Sequence, residues 1–271
     1  MRFAASLSIA ICIALLLAGC AAATSPIQSG VSLTPPIVIP PPPTPTPMPT
    51  LSTADLTALP SHSQLLTAFD SPGLFSTARE QGTAFYLSTA NPPGIVLVGA
   101  GHVAAAFASR TGIGHAYSYQ VTDPTGPTTT TVTLAGIAPQ TDIAAYSVGP
   151  TSAAVARGAL RKLPLSARPP KAGEAAWALC AVGPQAVVPL KVVSPSALLI
   201  ESDTATGKTL YSIPNAIRLS GESHPGCSGG PVLDGTGSVI GVLVAAGGTE
   251  SYAVAAADLR EWLRSAGYDV R

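Results

Sequence analysis

The chain has 271 residues with 14 basic and 14 acidic side chains, so its formal net charge is zero, and only 10% of its residues are charged. With no basic stripe along it, this composition argues against a nucleic-acid partner. The length admits one large or two small domains, and 5% aromatics with abundant Ala, Val, Thr, Gly and Pro in short apolar runs favours many short strands and turns.

Met1-Arg2 is followed by an apolar stretch, Leu7 to Ala18, too short for a membrane span; it reads as an export signal. Leu17-Ala18-Gly19-Cys20 resembles a bacterial lipobox. That resemblance implies a lipoprotein signal over residues 1–20, acylation at Cys20 and an exported protein held at the cell envelope by its N-terminal lipid. An ordinary secretory signal or an uncleaved anchor is the alternative. Residues 21–50, with Pro40-Pro41-Pro42-Pro43 and Thr-Pro alternation through Pro49, form a semi-rigid polyproline spacer.

Over residues 51–75, Ala54-Asp55-Leu56 and Gln64-Leu65-Leu66-Thr67-Ala68-Phe69 have helical spacing, interrupted by Pro60 and ended by Ser71-Pro72-Gly73. One or two short helices packed on the domain are expected, with a removable pro-segment as the alternative. From Gly82 the texture changes. Thr83 to Ser88 and Gly94 to Gly99 read as strands joined through Asn91-Pro92-Pro93, and His102 follows the second in the small-residue turn Ala100-Gly101-His102-Val103-Ala104. His115 to Val121 and Thr128 to Leu134 form a hairpin about Asp123-Pro124-Thr125-Gly126-Pro127, where Asp123 is turn chemistry. Asp142 stands at the head of another apolar strand, in Asp142-Ile143-Ala144.

Residues 151–171 are polar and read as a connection. Strands are expected again over Ala176 to Val182, Val187 to Val193, Ala197 to Glu201, Thr209 to Ile213 and Ser251 to Val254, and an amphipathic helix over Ala257 to Arg264. Between them, Gly226-Cys227-Ser228-Gly229-Gly230-Pro231-Val232 surrounds one hydroxyl with glycines, ahead of a hairpin about Asp234-Gly235. A serine hydroxyl becomes a nucleophile when a base takes its proton and nearby donors hold the oxyanion. Backbone without Cβ atoms lets a carbonyl approach the bare amides of Gly226 and Ser228.

Gly-Cys-Ser-Gly-Gly also satisfies the nucleophile elbow of α/β-hydrolases, which needs a histidine after the serine. All four histidines, His62, His102, His115 and His224, precede Ser228. The segments around His102, Asp142 and Ser228, in that order, instead resemble those of chymotrypsin-like serine proteases, especially the bacterial trypsin-like and high-temperature-requirement branches. The resemblance runs from Gly82 to Arg264. It implies an all-β fold of two six-stranded antiparallel β-barrels, about 76–155 and 170–256, with a C-terminal helix at 256–266, all within a protease domain at 76–271.

The activity so implied is serine endopeptidase cleavage of protein or peptide substrates through His102, Asp142 and Ser228, with an oxyanion hole at Gly226 and Ser228 and no cofactor or metal. A monomer is expected, and no residues remain for the PDZ domain of the high-temperature-requirement proteases. Where trypsin relatives carry an activating Asp, this chain has Cys227, so trypsin-type zymogen activation is not implied. Glu222 lies at the offset of the trypsin specificity carboxylate; it either reads basic side chains or is a surface group, in which case the small Ala245, Ala246 and Gly247 walls leave a pocket suited to apolar residues. With Cys12 and Cys20 in the signal, Cys180 and Cys227 are left. The family's fold would run Cys180 beneath the nucleophile loop, which suggests a disulfide between them; two buried free thiols are the alternative. A silent binding module and a structural envelope lipoprotein are the rival functions.

Overall fold

The computed structural model describes residues 51–70, 78–106, 117–123, 129–138, 140–149, 161–202 and 209–270, all within one unit, Thr46–Arg271. The export signal, Cys20, the proline spacer and His115 lie outside the described residues. Among those described, no helix is long and apolar enough to cross a membrane.

Side-chain alternation along the strands divides the apolar residues among three clusters. In β2 (Ala78–Asn91), Ala84 and Tyr86 join Leu66, Leu97 and Tyr146 in one cluster, whereas Phe85 and Leu87 join Leu179, Val242 and Leu259 in another. The first cluster fills a ring of six antiparallel strands: β1 (Ser63–Asp70), β4 (Tyr117–Thr122), β5 (Thr129–Ala138), β6 (Ile143–Val148), β3 (Gly94–Ala100) and β2, closed because β1 also pairs with β2. A third cluster, with Ala178, Val188, Ile217 and Val232, fills a closed barrel. Its strands run β10 (Pro231–Leu233), β11 (Val239–Gly247), β12 (Glu250–Ala255), β9 (Thr209–Ser220), β8 (Val187–Ser202) and β7 (Ala175–Leu179). The second cluster is the seam between ring and barrel, and it takes in Leu259 and Leu263 of the C-terminal helix.

That helix, Ala256–Ser265, is followed by β13 (Asp269–Val270), which pairs with β2 of the ring. The connection between ring and barrel touches both: the Leu163 amide donates to the Tyr86 carbonyl at 3.0 Å, and the Val239 amide donates to the Pro164 carbonyl at 2.8 Å.

Four expectations change. A short helix α1 (Thr53–Ala58), capped by Ser52 and Asp55, and a 3₁₀ turn at Leu59–His62 do form, but Gln64 to Phe69 is strand β1. It lies between β2 and β4, with Leu66 opposite both Gly82 and Val121. Half-buried Leu65 and Phe69 stand beside buried Leu66 and Ala68, and that apolar run also satisfies helical spacing. The first ring therefore starts at Ser63 rather than 76. His102 lies in a five-residue helix, α2 (Gly101–Ala105), rather than a turn. The strands expected at Val187 to Val193 and Ala197 to Glu201 are one strand, β8, whose register slips between Val192 and Leu199 around Pro195, which has no N–H to give the ladder. The strand expected over Ala176 to Val182 is β7, which ends at Leu179 and leaves Cys180 just past it, while the hairpin about Asp234-Gly235 forms, with positive φ, 78°, at Gly237.

Because Leu66 is fully buried inside the ring and Leu65 is not, Leu66→Ala should lower unfolding free energy by roughly 2–5 kcal/mol, and Leu65→Ala by distinctly less, in urea denaturation. Equal small losses would mean that residues 63–70 pack as a peripheral segment.

Candidate active site

Strand β3 ends in Ala100 and passes directly into α2, so His102 is delivered at the lip of the first ring. On the neighbouring strand, Asp142 precedes β6 with φ 54°, a left-handed conformation that aspartate tolerates better than most residues. Asp142 gives both carboxylate oxygens to His102: Oδ1 accepts from the His102 amide at 2.6 Å and Oδ2 from Nδ1 at 2.7 Å. Its own carbonyl accepts from the Gly101 amide at 2.8 Å. The Asp142 side chain is 4% exposed and that of His102 42%, so the pair is buried at the carboxylate end and open at the far ring nitrogen.

Several influences set the imidazole's proton affinity. Burial, the largest, pushes it down; the Asp142 hydrogen bond and charge, with the charges of Glu80 and Glu201, together outweigh it and hold the His102 pKa above the usual 6.5.

In the barrel, the loop 224–230 enters β10 through a turn in which the Gly230 amide donates to the Cys227 carbonyl at 2.8 Å. Gly226 and Gly229 have φ of 94° and 85°, which L side chains rarely adopt, and a Cβ at Gly226 would run into Val182. Cys227 is joined to Cys180 by a disulfide closing 47 residues, which contributes roughly 2–4 kcal/mol on chain-entropy grounds. Cys180, His224 and Cys227 form a trio compact enough for a metal, but the disulfide leaves neither sulfur as a thiolate ligand. The His224 ring packs on that bridge, 3.3 Å from the Cys227 sulfur. Among the described residues, no protein acceptor takes the amides of Gly226 or Ser228.

His102 and Ser228 line one cleft of about 510 Å³. Glu222, Ala245, Ala246 and Gly247, singled out in the sequence, line it too; Glu222 is exposed and His224 half-buried. Asp123 stands at the end of β4, outside that lining.

The fold has a family counterpart: residues 82–242 match the trypsin-like peptidase domain. The chain belongs to that family. As a trypsin-like peptidase it is a serine-type hydrolase acting on peptide bonds. No curated protein sequence matches it. Among solved structures it is similar to the active form of the Rv3671c protease from M. tuberculosis, with 19% identity, 85% of this chain and 95% of that one covered, and a TM-score of 0.57. It is also similar to Deg5, with 19% identity, coverage of 79% and 94%, and a TM-score of 0.56. At these identities the likeness is one of fold.

Three contributors to this trypsin-like site go unnoticed in the sequence. Glu201 and Tyr211 reach the cleft from opposite strands of the β8–β9 hairpin, where they are cross-strand partners. Burial, then the charges of Asp142 and Glu201, push the Tyr211 phenol upward, so it stays a neutral hydrogen-bonding group. Thr83 of β2 bonds to the nucleophile loop from the opposite ring. No local motif marks any of the three.

The His102 ring should titrate with a midpoint above pH 6.5 by proton NMR, and Asp142→Asn should lower that midpoint by removing both the bond and the charge. An unchanged midpoint in Asp142→Asn would mean the pair does not persist in solution.

Proposed function

We propose that this trypsin-like peptidase is an endopeptidase in which His102, Asp142 and Ser228 act as a triad. The observation that carries the reading is the two-oxygen grip of Asp142 on His102, set in the same cleft as Ser228. In this mechanism Nε2 of His102 takes the Ser228 hydroxyl proton as Oγ attacks the scissile carbonyl, and the oxyanion is held by the Gly226 and Ser228 amides. Collapse breaks the C–N bond; His102 returns the proton to the leaving amine, and water then hydrolyses the acyl-enzyme by the same route. The unengaged amides support the oxyanion assignment. A silent binding module is the less favoured reading, since nothing in ligand binding alone calls for a buried carboxylate spent wholly on one imidazole.

The same proposal places the domain outside the cytoplasm, tethered to the envelope through an acylated Cys20 and the proline spacer. The signal-like residues 1–20 and the disulfide support it, since disulfides persist in oxidising compartments. Fluorophosphonate labelling of fractionated cells tests both parts. The expected label is in the membrane fraction for the wild type, in the soluble fraction for Cys20→Ser, and absent for Ser228→Ala, which should also lose roughly 10⁴-fold or more in amide hydrolysis. A label that survives Ser228→Ala removes the nucleophile; one that stays on the membrane in Cys20→Ser removes the lipid.

For specificity, the described cleft lining holds two carboxylates, Glu201 and Glu222, and no lysine or arginine. A cleft of that sign favours substrates with Lys or Arg beside the scissile bond, while Ala245, Ala246 and Gly247 leave room for a long side chain. In a peptide-library profile, basic residues should be enriched and Glu222→Gln should reduce that enrichment. A profile that ignores charge and is unchanged in Glu222→Gln takes Glu222 out of the site.

A further inference from the structure

Thr83 is wholly buried in β2, a strand of the first ring, yet most of its polar atoms serve the barrel. Its amide donates to the Ser228 carbonyl at 2.8 Å. Its hydroxyl donates to the Gly226 carbonyl at 2.7 Å and accepts from the Ala181 amide at 2.9 Å. A hydroxyl has one proton and a carbonyl can only accept, so that proton goes to Gly226 while an oxygen lone pair takes the Ala181 amide. The carbonyls it holds belong to the two residues whose amides are assigned above to the oxyanion, one on either side of Cys227. The Gly226 carbonyl shares its peptide plane with the Cys227 amide, and the Ser228 carbonyl shares its plane with the Gly229 amide. Thr83 therefore fixes the plane on the C-terminal side of each residue and limits the ψ rotation through which the Gly226 and Ser228 amides could turn, Gly226, at positive φ, being the more easily turned.

Two further contacts show how closely ring and loop are registered. A Cβ on Gly82 would lie 2.9 Å from the Ser228 carbonyl oxygen, and one on Gly229 would collide with the Thr83 carbonyl oxygen. The disulfide joins Cys180 to Cys227, the residues beside Ala181 and Gly226, so the hydroxyl bridge and the covalent bridge span the same two stretches of barrel backbone. The disulfide lies within the barrel, however, and carries no information about the ring. Thr83 does: β2 pairs with β3, the strand that leads into His102, with Ala84 opposite Gly99.

We infer that Thr83 is the positioning residue of the oxyanion hole, the contact through which the ring bearing His102 and Asp142 orients the Gly226 and Ser228 amides. The inference rests on the peptidase mechanism proposed above. Thr83 touches no reacting atom, so its effect belongs to stabilisation of the developing oxyanion and not to substrate binding.

The test compares Thr83→Val, which keeps the shape and loses the hydroxyl, with Thr83→Ser, which keeps the hydroxyl, in the full chain. Thr83→Val should lower kcat by about 10- to 100-fold with KM within about two-fold, and should weaken binding of a peptide aldehyde, which forms the oxyanion, by a similar factor. Thr83→Ser should restore most of both. A folded Thr83→Val with near-wild-type kcat, an equal loss in both variants, or unchanged aldehyde affinity alongside reduced kcat would overturn the inference. If Thr83→Val does not fold, hydrogen exchange in the wild type decides: the Ala181 amide should be protected, and more so with the aldehyde bound, whereas fast exchange overturns it. A wild-type chain that takes neither fluorophosphonate nor aldehyde would overturn the peptidase mechanism, and this role with it. That result is distinct from a normally labelled wild type with an indifferent Thr83→Val.

Discussion

A buried carboxylate is expensive unless its lone pairs are used, and Asp142 uses both oxygens on a single residue. This one interaction organises the first ring's contribution to the site. It places the amide and Nδ1 of His102 in fixed relation to the β6 strand end, and it leaves only the outer ring nitrogen of the imidazole to face the cleft. The left-handed backbone at Asp142 is part of the same arrangement, since it aims both the carboxylate and the carbonyl at the first turn of α2. Burial alone would favour the neutral imidazole; the carboxylate outweighs burial, so the ring is a stronger base than an isolated histidine would be in that position.

The barrel's contribution faces a different difficulty. A glycine-rich loop is cheap to bend but costly to hold in one shape. Here the restraint comes from a disulfide on one side and from Thr83 on the other, while the Gly229 amide and Gly230 carbonyl bond to Leu243 of β11 at 2.7 and 2.9 Å. The aspartate that performs a comparable anchoring task in trypsin relatives is replaced by Cys227, and the chain substitutes a covalent anchor for an ionic one.

Much of this was legible in the sequence wherever the chemistry is local. The glycines around Ser228, the apolar strands before His102 and after Asp142, and the order of the three segments are short-range features, and the ring-and-barrel architecture follows from their family likeness. The helical reading of Gln64 to Phe69 failed because the half-buried Leu65 and Phe69 stand beside the buried Leu66 and Ala68, so the apolar run hides the alternation of a strand. Thr83 was unreadable for another reason: its partners lie 98 and 143 residues away, and nothing in Gly-Thr-Ala distinguishes it from any buried strand residue. Glu201 and Tyr211 face the cleft through a long hairpin whose register slips at several places, which residue spacing does not reveal.

The β13 pairing has a consequence for how the cleft keeps its shape. After β6 the chain leaves the first ring, builds the whole barrel, and comes back along the C-terminal helix to bond to β2. The barrel is thus an excursion attached at both ends to the ring, rather than a bead on a single tether. A body held at two separated points resists swivelling about either one, so opening the cleft like a hinge would require unzipping Asp269 and Val270 or withdrawing Leu259 and Leu263 from the seam.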